Sequence, residues 1–172
     1  MKFALATLFA AAVVAATPAQ AAIITYTAML TNFGEPFPTS TATGNARVIF
    51  DDVLSTINVT LNWSGLLGSA PFGHIHCCTA TPRTGNSGVQ LDFGTLPNLS
   101  TATFSSTYVS PTNFASLLAG AAAGRAYVNI HTAGLYAGGE IRGFLVPEPS
   151  SMALTLAALG LAGVGLRRKP KA

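Results

Sequence analysis

Charge is what this chain has least of. Aspartate, glutamate, lysine and arginine together supply 9% of its 172 residues, and between Ala22 and Val146 only four arginines (Arg47, Arg83, Arg125, Arg142) face five carboxylates (Glu35, Asp51, Asp52, Asp92, Glu140). A nucleic-acid surface needs a basic stripe on the folded part, so no nucleic-acid partner is expected; the pI near 9.1 comes from the two ends. No G-x-S-x-G elbow presents a nucleophilic serine, so no catalytic residue is assigned and a non-enzymatic role is expected. Histidine and cysteine are also rare, with three and two copies, and no internal repeat is present. That scarcity gives weight to FGHIHCCT, Phe72 to Thr79, which holds His74, His76 and both cysteines.

The ends read as targeting segments. Residues 1–21 carry Lys2, an apolar run from Phe3 to Ala16, and the small-residue ending Ala19-Gln20-Ala21, the pattern of a cleaved signal peptide. At the other end Pro147-Glu148-Pro149 precedes an apolar stretch from Met152 to Leu166, closed by Arg167, Arg168 and Lys169. Positive charge after an apolar run marks a stop-transfer segment with its basic end in the cytoplasm. This order of motif, membrane segment and basic tail resembles the PEP-CTERM sorting signal of exported bacterial proteins. The resemblance implies that residues 147–172 form a sorting signal with a short transmembrane helix. It further implies a transient inner-membrane anchor, removal of the tail by an exosortase-type enzyme, and delivery to the cell surface or extracellular matrix.

Between these ends, residues 22–146 predict one all-β domain. Ile57, Val59, Leu61 and Trp63 alternate with Asn58, Thr60, Asn62 and Ser64, as a half-buried strand requires. Similar runs lie at Ile24–Leu30, Gly44–Phe50, Gly73–Cys78, Val89–Phe93, Thr101–Tyr108, Arg125–Thr132 and Gly139–Leu145, separated by turn residues. The number of runs suits an antiparallel β-sandwich, immunoglobulin-like or superoxide-dismutase-like in its Greek-key order. Pro111 to Gly120 is the exception, with Phe114, Leu117 and Leu118 at helical spacing, and predicts one short helical connection. The loop from Thr31 to Thr43 is expected to run over the surface.

Strand alternation then sorts the polar residues. His74 and His76 share one face, opposite Ile75, and Tyr127, Asn129 and His131 share a face opposite Val128 and Ile130. The short AGLYAG link makes Gly139–Leu145 the hairpin partner of that strand, which puts Glu140 and Arg142 on the side away from Ile141. A polar cluster of His74, His76, Asn129, His131, Glu140 and Arg142 is the expected result.

The ordered set G-x-A at Gly44–Ala46, W-S-G-L, HIH, YVNIHT and GGEIRG resembles the CHRD domain first recognised in chordin, over roughly Thr25 to Leu145. The resemblance implies an all-β fold in an exported protein, and the chain is expected to bind a surface protein or exopolysaccharide. Three readings of the histidine face remain open. In the first, the cluster is a structural hydrogen-bond network, Glu140 pairing with Arg142, and no cofactor is required. In the second, His74, His76 and His131 supply three nitrogens to zinc or copper. The third is catalysis, since H-x-H in a sandwich is similar to copper-zinc superoxide dismutase, but that enzyme needs more histidines than are present. Cys77 and Cys78, in an oxidising compartment, are expected to form a vicinal disulfide, with intermolecular bridges or thiolate ligation beside the histidines as the alternatives.

Overall fold

In the computed structural model, which describes residues 23–35, 39–134 and 136–148, nine strands and one helix follow one another along the chain. The strands are β1 (Ile23–Leu30), β2 (Thr43–Asp51), β3 (Thr56–Ser64), β4 (Phe72–His76), β5 (Val89–Asp92) and β6 (Ala102–Val109). Helix α1 (Phe114–Ala122) then leads to β7 (Tyr127–Thr132), β8 (Tyr136–Phe144) and β9 (Val146–Pro147). All pairings are antiparallel, in a five-stranded sheet ordered β6-β3-β2-β1-β9 and a four-stranded sheet ordered β5-β4-β7-β8.

Period-two alternation decides which residues meet between the sheets. Val48 and Phe50 on β2, Ile57, Val59 and Leu61 on β3, Ile75 on β4, Val128 and Ile130 on β7 and Ile141 on β8 all have no exposed surface. Each contributes on the order of 1.5–3 kcal/mol relative to an exposed position. Their sequence neighbours point outward, which for the second sheet means that the histidine-bearing side faces away from the core.

Helix α1 begins later and runs further than the predicted Pro111–Gly120, taking in the first two alanines of the AAAG run, which are strong helix formers. It links β6 of the first sheet to β7 of the second and packs Phe114 edge-on against Phe50 at 5.8 Å. The strand β9 was not predicted. It pairs Pro147 with Tyr26 and Val146 with Thr27 on the outer edge of β1, where a proline lacking an N–H is tolerated. Glu148 follows, its N–H donating to Thr25 O at 3.0 Å and its carboxylate meeting Arg47 Nε at 3.2 Å. The fold therefore continues across the expected boundary after Val146. The predicted signal peptide, and Pro149, Met152–Leu166, Arg167, Arg168 and Lys169 of the sorting signal, lie outside the described residues. Among the described residues no helix is long and apolar enough to cross a membrane.

A candidate metal centre on the outer face of the second sheet

Strands β4 and β7 lie side by side with His74 opposite Asn129, His76 opposite Tyr127 and Phe72 opposite His131. One ring nitrogen from each of His74, His76 and His131 lies within 4.8 Å of the other two. His74 Nδ1 and His131 Nε2 are 2.9 Å apart. All three rings are half-buried.

Backbone carbonyls set the tautomers. His76 Nδ1 lies 2.8 Å from Ser87 O, and His131 Nδ1 lies 2.9 Å from Ala137 O. A carbonyl only accepts, so both Nδ1 atoms carry the proton and both Nε2 atoms are left as lone pairs. The lone pair of His131 accepts from His74 Nδ1. The Nε2 of His76 is buried with no hydrogen-bond partner among the described residues. Burial lowers the pKa of all three rings. It pushes His131 down to about 4, helped by His74 and His76 and opposed by the Ala137 carbonyl. His74 is lowered by burial in spite of Asp92, whose carboxylate lies 3.9 Å from its Nε2. His76 is lowered by burial, with the Ser87 carbonyl opposing and His74 and Arg142 adding to the shift. Three uncharged imidazoles therefore share one small space.

The carbonyl over His131 comes from an irregularity in β8. Ile130 pairs with Ile141 and Thr132 with Tyr136, so His131 faces the extra residues 137–140. Gly139, at φ +125, makes that bulge possible, because a Cβ there would run into Asn129 Nδ2 and Glu35. The bulge also breaks the alternation on which Glu140 had been placed. Glu140 does not join the histidines: fully buried, it accepts from Ser40 Oγ at 2.5 Å, from Leu67 N–H at 2.9 Å and from Thr132 Oγ1. The expected Glu140–Arg142 pair is therefore absent.

Glu35 takes that place. The loop from Thr31 to Thr43 was expected on the surface, but its described residue Glu35 is buried against the sheet, where its carboxylate accepts from Asn129 Nδ2 at 2.6 Å with Arg142 Nε 3.9 Å away. Burial raises its pKa to about 7, against the pull of Arg142 and Asn129. Arg142 also donates to Asn86 Oδ1 at 2.6 Å and lies 5.0 Å from the Tyr127 ring centroid. Tyr127 in turn stacks on His76 at 4.8 Å, the rings 4° from parallel. The sequence thus brings His74, His76, His131, Asn129 and Arg142 together, while Glu35 and the Tyr127 stack escaped it. One signal was available for Glu35: it is the only charge in its loop.

The cysteines lie apart from this face. Cys77 and Cys78 form a disulfide with each other, and both sulfurs pack where a side chain on Gly120 of α1 would stand. Cys78 Sγ is 3.7 Å from Ser116 O. No thiolate is left to ligate beside the histidines.

The H-x-H pair, the YVNIHT strand and the bulged GGEIRG strand all fall inside one match: residues 26–145 fit the family model of the CHRD domain. The chain belongs to the CHRD family. The CHRD domain is followed by a match to the PEP-CTERM protein-sorting motif over residues 145–169, which makes the chain an exported protein of the exosortase-sorted class, membrane-associated at its C-terminus before processing. No curated protein and no solved structure matches the chain.

Proposed function

We propose that this exported CHRD domain works at the cell surface or in the extracellular matrix as a non-enzymatic binding module, and that its histidine face binds a transition-metal ion, zinc or copper. The observation that carries the reading is the buried Nε2 of His76, an acceptor with no donor. An unpaired buried acceptor costs on the order of 1–3 kcal/mol, a cost that a ligand bond removes. The surroundings agree with a metal site. Carbonyls hold the far nitrogens of His76 and His131, as the partners of metal-bound imidazoles do, and Asp92, 3.9 Å from His74 Nε2, is placed to accept from that nitrogen in the tautomer whose Nδ1 is free for a metal. Three imidazoles bonded to zinc at about 2.0–2.1 Å would have nitrogens roughly 3.4 Å apart. The 2.9 Å contact and the 4.8 Å limit bracket that spacing.

The test is elemental analysis of the purified exported protein, with titration by zinc and copper(II) after chelation. One equivalent per chain is expected, reduced to none in His76→Ala. Substoichiometric metal that survives that substitution would overturn the reading in favour of a purely structural network.

A further inference from the structure

Another site lies at the β8 edge of the same sheet. There the chain leaving β1 runs beside β8, and Thr31 and Arg142 exchange backbone hydrogen bonds of 3.0 and 2.7 Å. Over this junction Phe33 of one loop and Arg83 and Thr84 of another line a cleft together with Arg142 and Phe144. Two of the domain's four arginines, Arg83 and Arg142, line it, and Arg125 Nη2 donates to Ala80 O at 2.7 Å at the root of the Arg83 loop. The nearest carboxyl, Glu35, is buried behind Arg142, and Asp92 lies on the opposite edge strand, β5. Arg142 is therefore met by a carboxyl from behind, while Arg83 at the mouth of the cleft is met by none.

Arg83 is the informative residue. Its backbone sits in the left-handed region at φ +59, uncommon for a residue with a side chain, and its N–H is fixed to Gly124 O at 2.8 Å. It is exposed, and its guanidinium makes no hydrogen bond or ion pair among the described residues. Phe33, which lines the same cleft, is 87% exposed, a flat apolar ring held out into water. A guanidinium without a carboxylate partner and an exposed aromatic ring lining one cleft suit a ligand with a carboxylate on a ring-shaped body. An extended peptide would seek the β8 edge, but Thr31 already pairs with it at this point.

We propose that this cleft binds the carboxylate-bearing sugar units of an acidic polysaccharide, Arg83 taking the carboxylate and Phe33 lying against the sugar ring. This rests on the reading of the domain as a surface binding module and names the partner's chemistry. It does not depend on metal at the histidines.

The experiment measures binding of the full exported protein to polygalacturonate in the presence of chelator, with methyl-esterified polygalacturonate and poly-glutamate alongside. Binding to polygalacturonate is expected to exceed binding to the ester and to poly-glutamate at least tenfold. Arg83→Asn, which keeps a residue tolerant of the left-handed backbone, is expected to weaken it at least tenfold. Phe33→Ala, at a site too exposed to support the fold, is expected to weaken it several-fold. No binding, equal binding to poly-glutamate, or full binding by both variants would overturn the proposal. Binding that appears only when zinc or copper is restored would also overturn it, and would assign the carboxylates to an ion on the histidines instead.

Discussion

Replacing Glu35 by glutamine separates two opposing titrations on the outer face. Glu35 has a side chain only 2% exposed, and its pKa is raised from 4.5 to about 7 by burial, which outweighs Arg142 at 3.9 Å and the Asn129 hydrogen bond. A carboxyl held protonated by the fold favours folding below its unfolded value, and that advantage is lost as pH rises through the folded one. A shift of this size corresponds to about 3 kcal/mol lost between pH 4.5 and 8. The histidines act in the other sense. His131, lowered to about 4, contributes stability that is present above pH 6.5 and lost as pH falls toward 4. The parent's own pH profile therefore mixes the two, whereas the difference between parent and Glu35→Gln isolates the carboxyl. Glutamine keeps an oxygen for Asn129 and cannot ionise. Urea unfolding in chelator, followed by the fluorescence of Trp63, the single tryptophan and 2% exposed, gives the difference at each pH. Relative to the parent, the variant should gain about 3 kcal/mol from pH 4.5 to 8. A difference that stays flat, or that grows as pH falls, would refute the account of Glu35 as a buried carboxyl held near neutrality.

Four further outcomes follow from the same geometry. In His131→Ala, melting temperature should no longer respond to added zinc or copper, whereas the parent should gain about 2.7 kcal/mol at a hundredfold excess over Kd; equal responses in thermal melts would count against the metal site. Because the His131 ring stays neutral down to about pH 4, metal occupancy measured by elemental analysis should hold level from pH 7.5 to 5.5, and half-loss near 6.5 would contradict that. Gly139→Ala, at φ +125, should cost at least about 2 kcal/mol in urea unfolding and weaken metal binding through the lost Ala137 contact. Neutralising Arg167, Arg168, Lys169 and Lys171 should let the tail slip outward, while altering Pro147 to Pro149 should leave insertion intact and block processing; maturation like the parent in both, by cell fractionation, would undo the sorting account.

The sandwich was legible because its strands alternate cleanly, and one rule sufficed to send Ile75, Val128 and Ile130 inward and His74, His76 and His131 outward. That rule failed for Glu140, where the bulge opposite His131 puts residues 137–140 out of phase with β7. A bulge depends on a backbone angle at Gly139 that a glycine pair permits but does not announce. Glu35 was hidden for another reason: its hydrogen bond to Asn129 spans 94 residues, and no periodicity in a proline-rich loop points across such a distance. The metal ligands were readable as a set, but the Ser87 and Ala137 carbonyls that fix their protons were not, since every residue has a carbonyl.

The short strand β9 bears on how the domain meets the membrane. Its pairing with β1, and the hold of Thr25 and Arg47 on Glu148, fasten the chain to the sheet up to the middle of the Pro-Glu-Pro motif. From Glu148 to Met152, where the apolar stretch begins, is four residue steps, at most about 14 Å of chain. A domain on so short a leash cannot swing freely while its tail is anchored. With Met152–Leu166 in the bilayer, the β1/β9 edge would be kept beside it, and an enzyme that reads the motif would have to work in the gap between sheet and lipid. Cutting the tail would then do more than release a cargo: it would lift a constraint on orientation and open the β1/β9 edge to the surroundings.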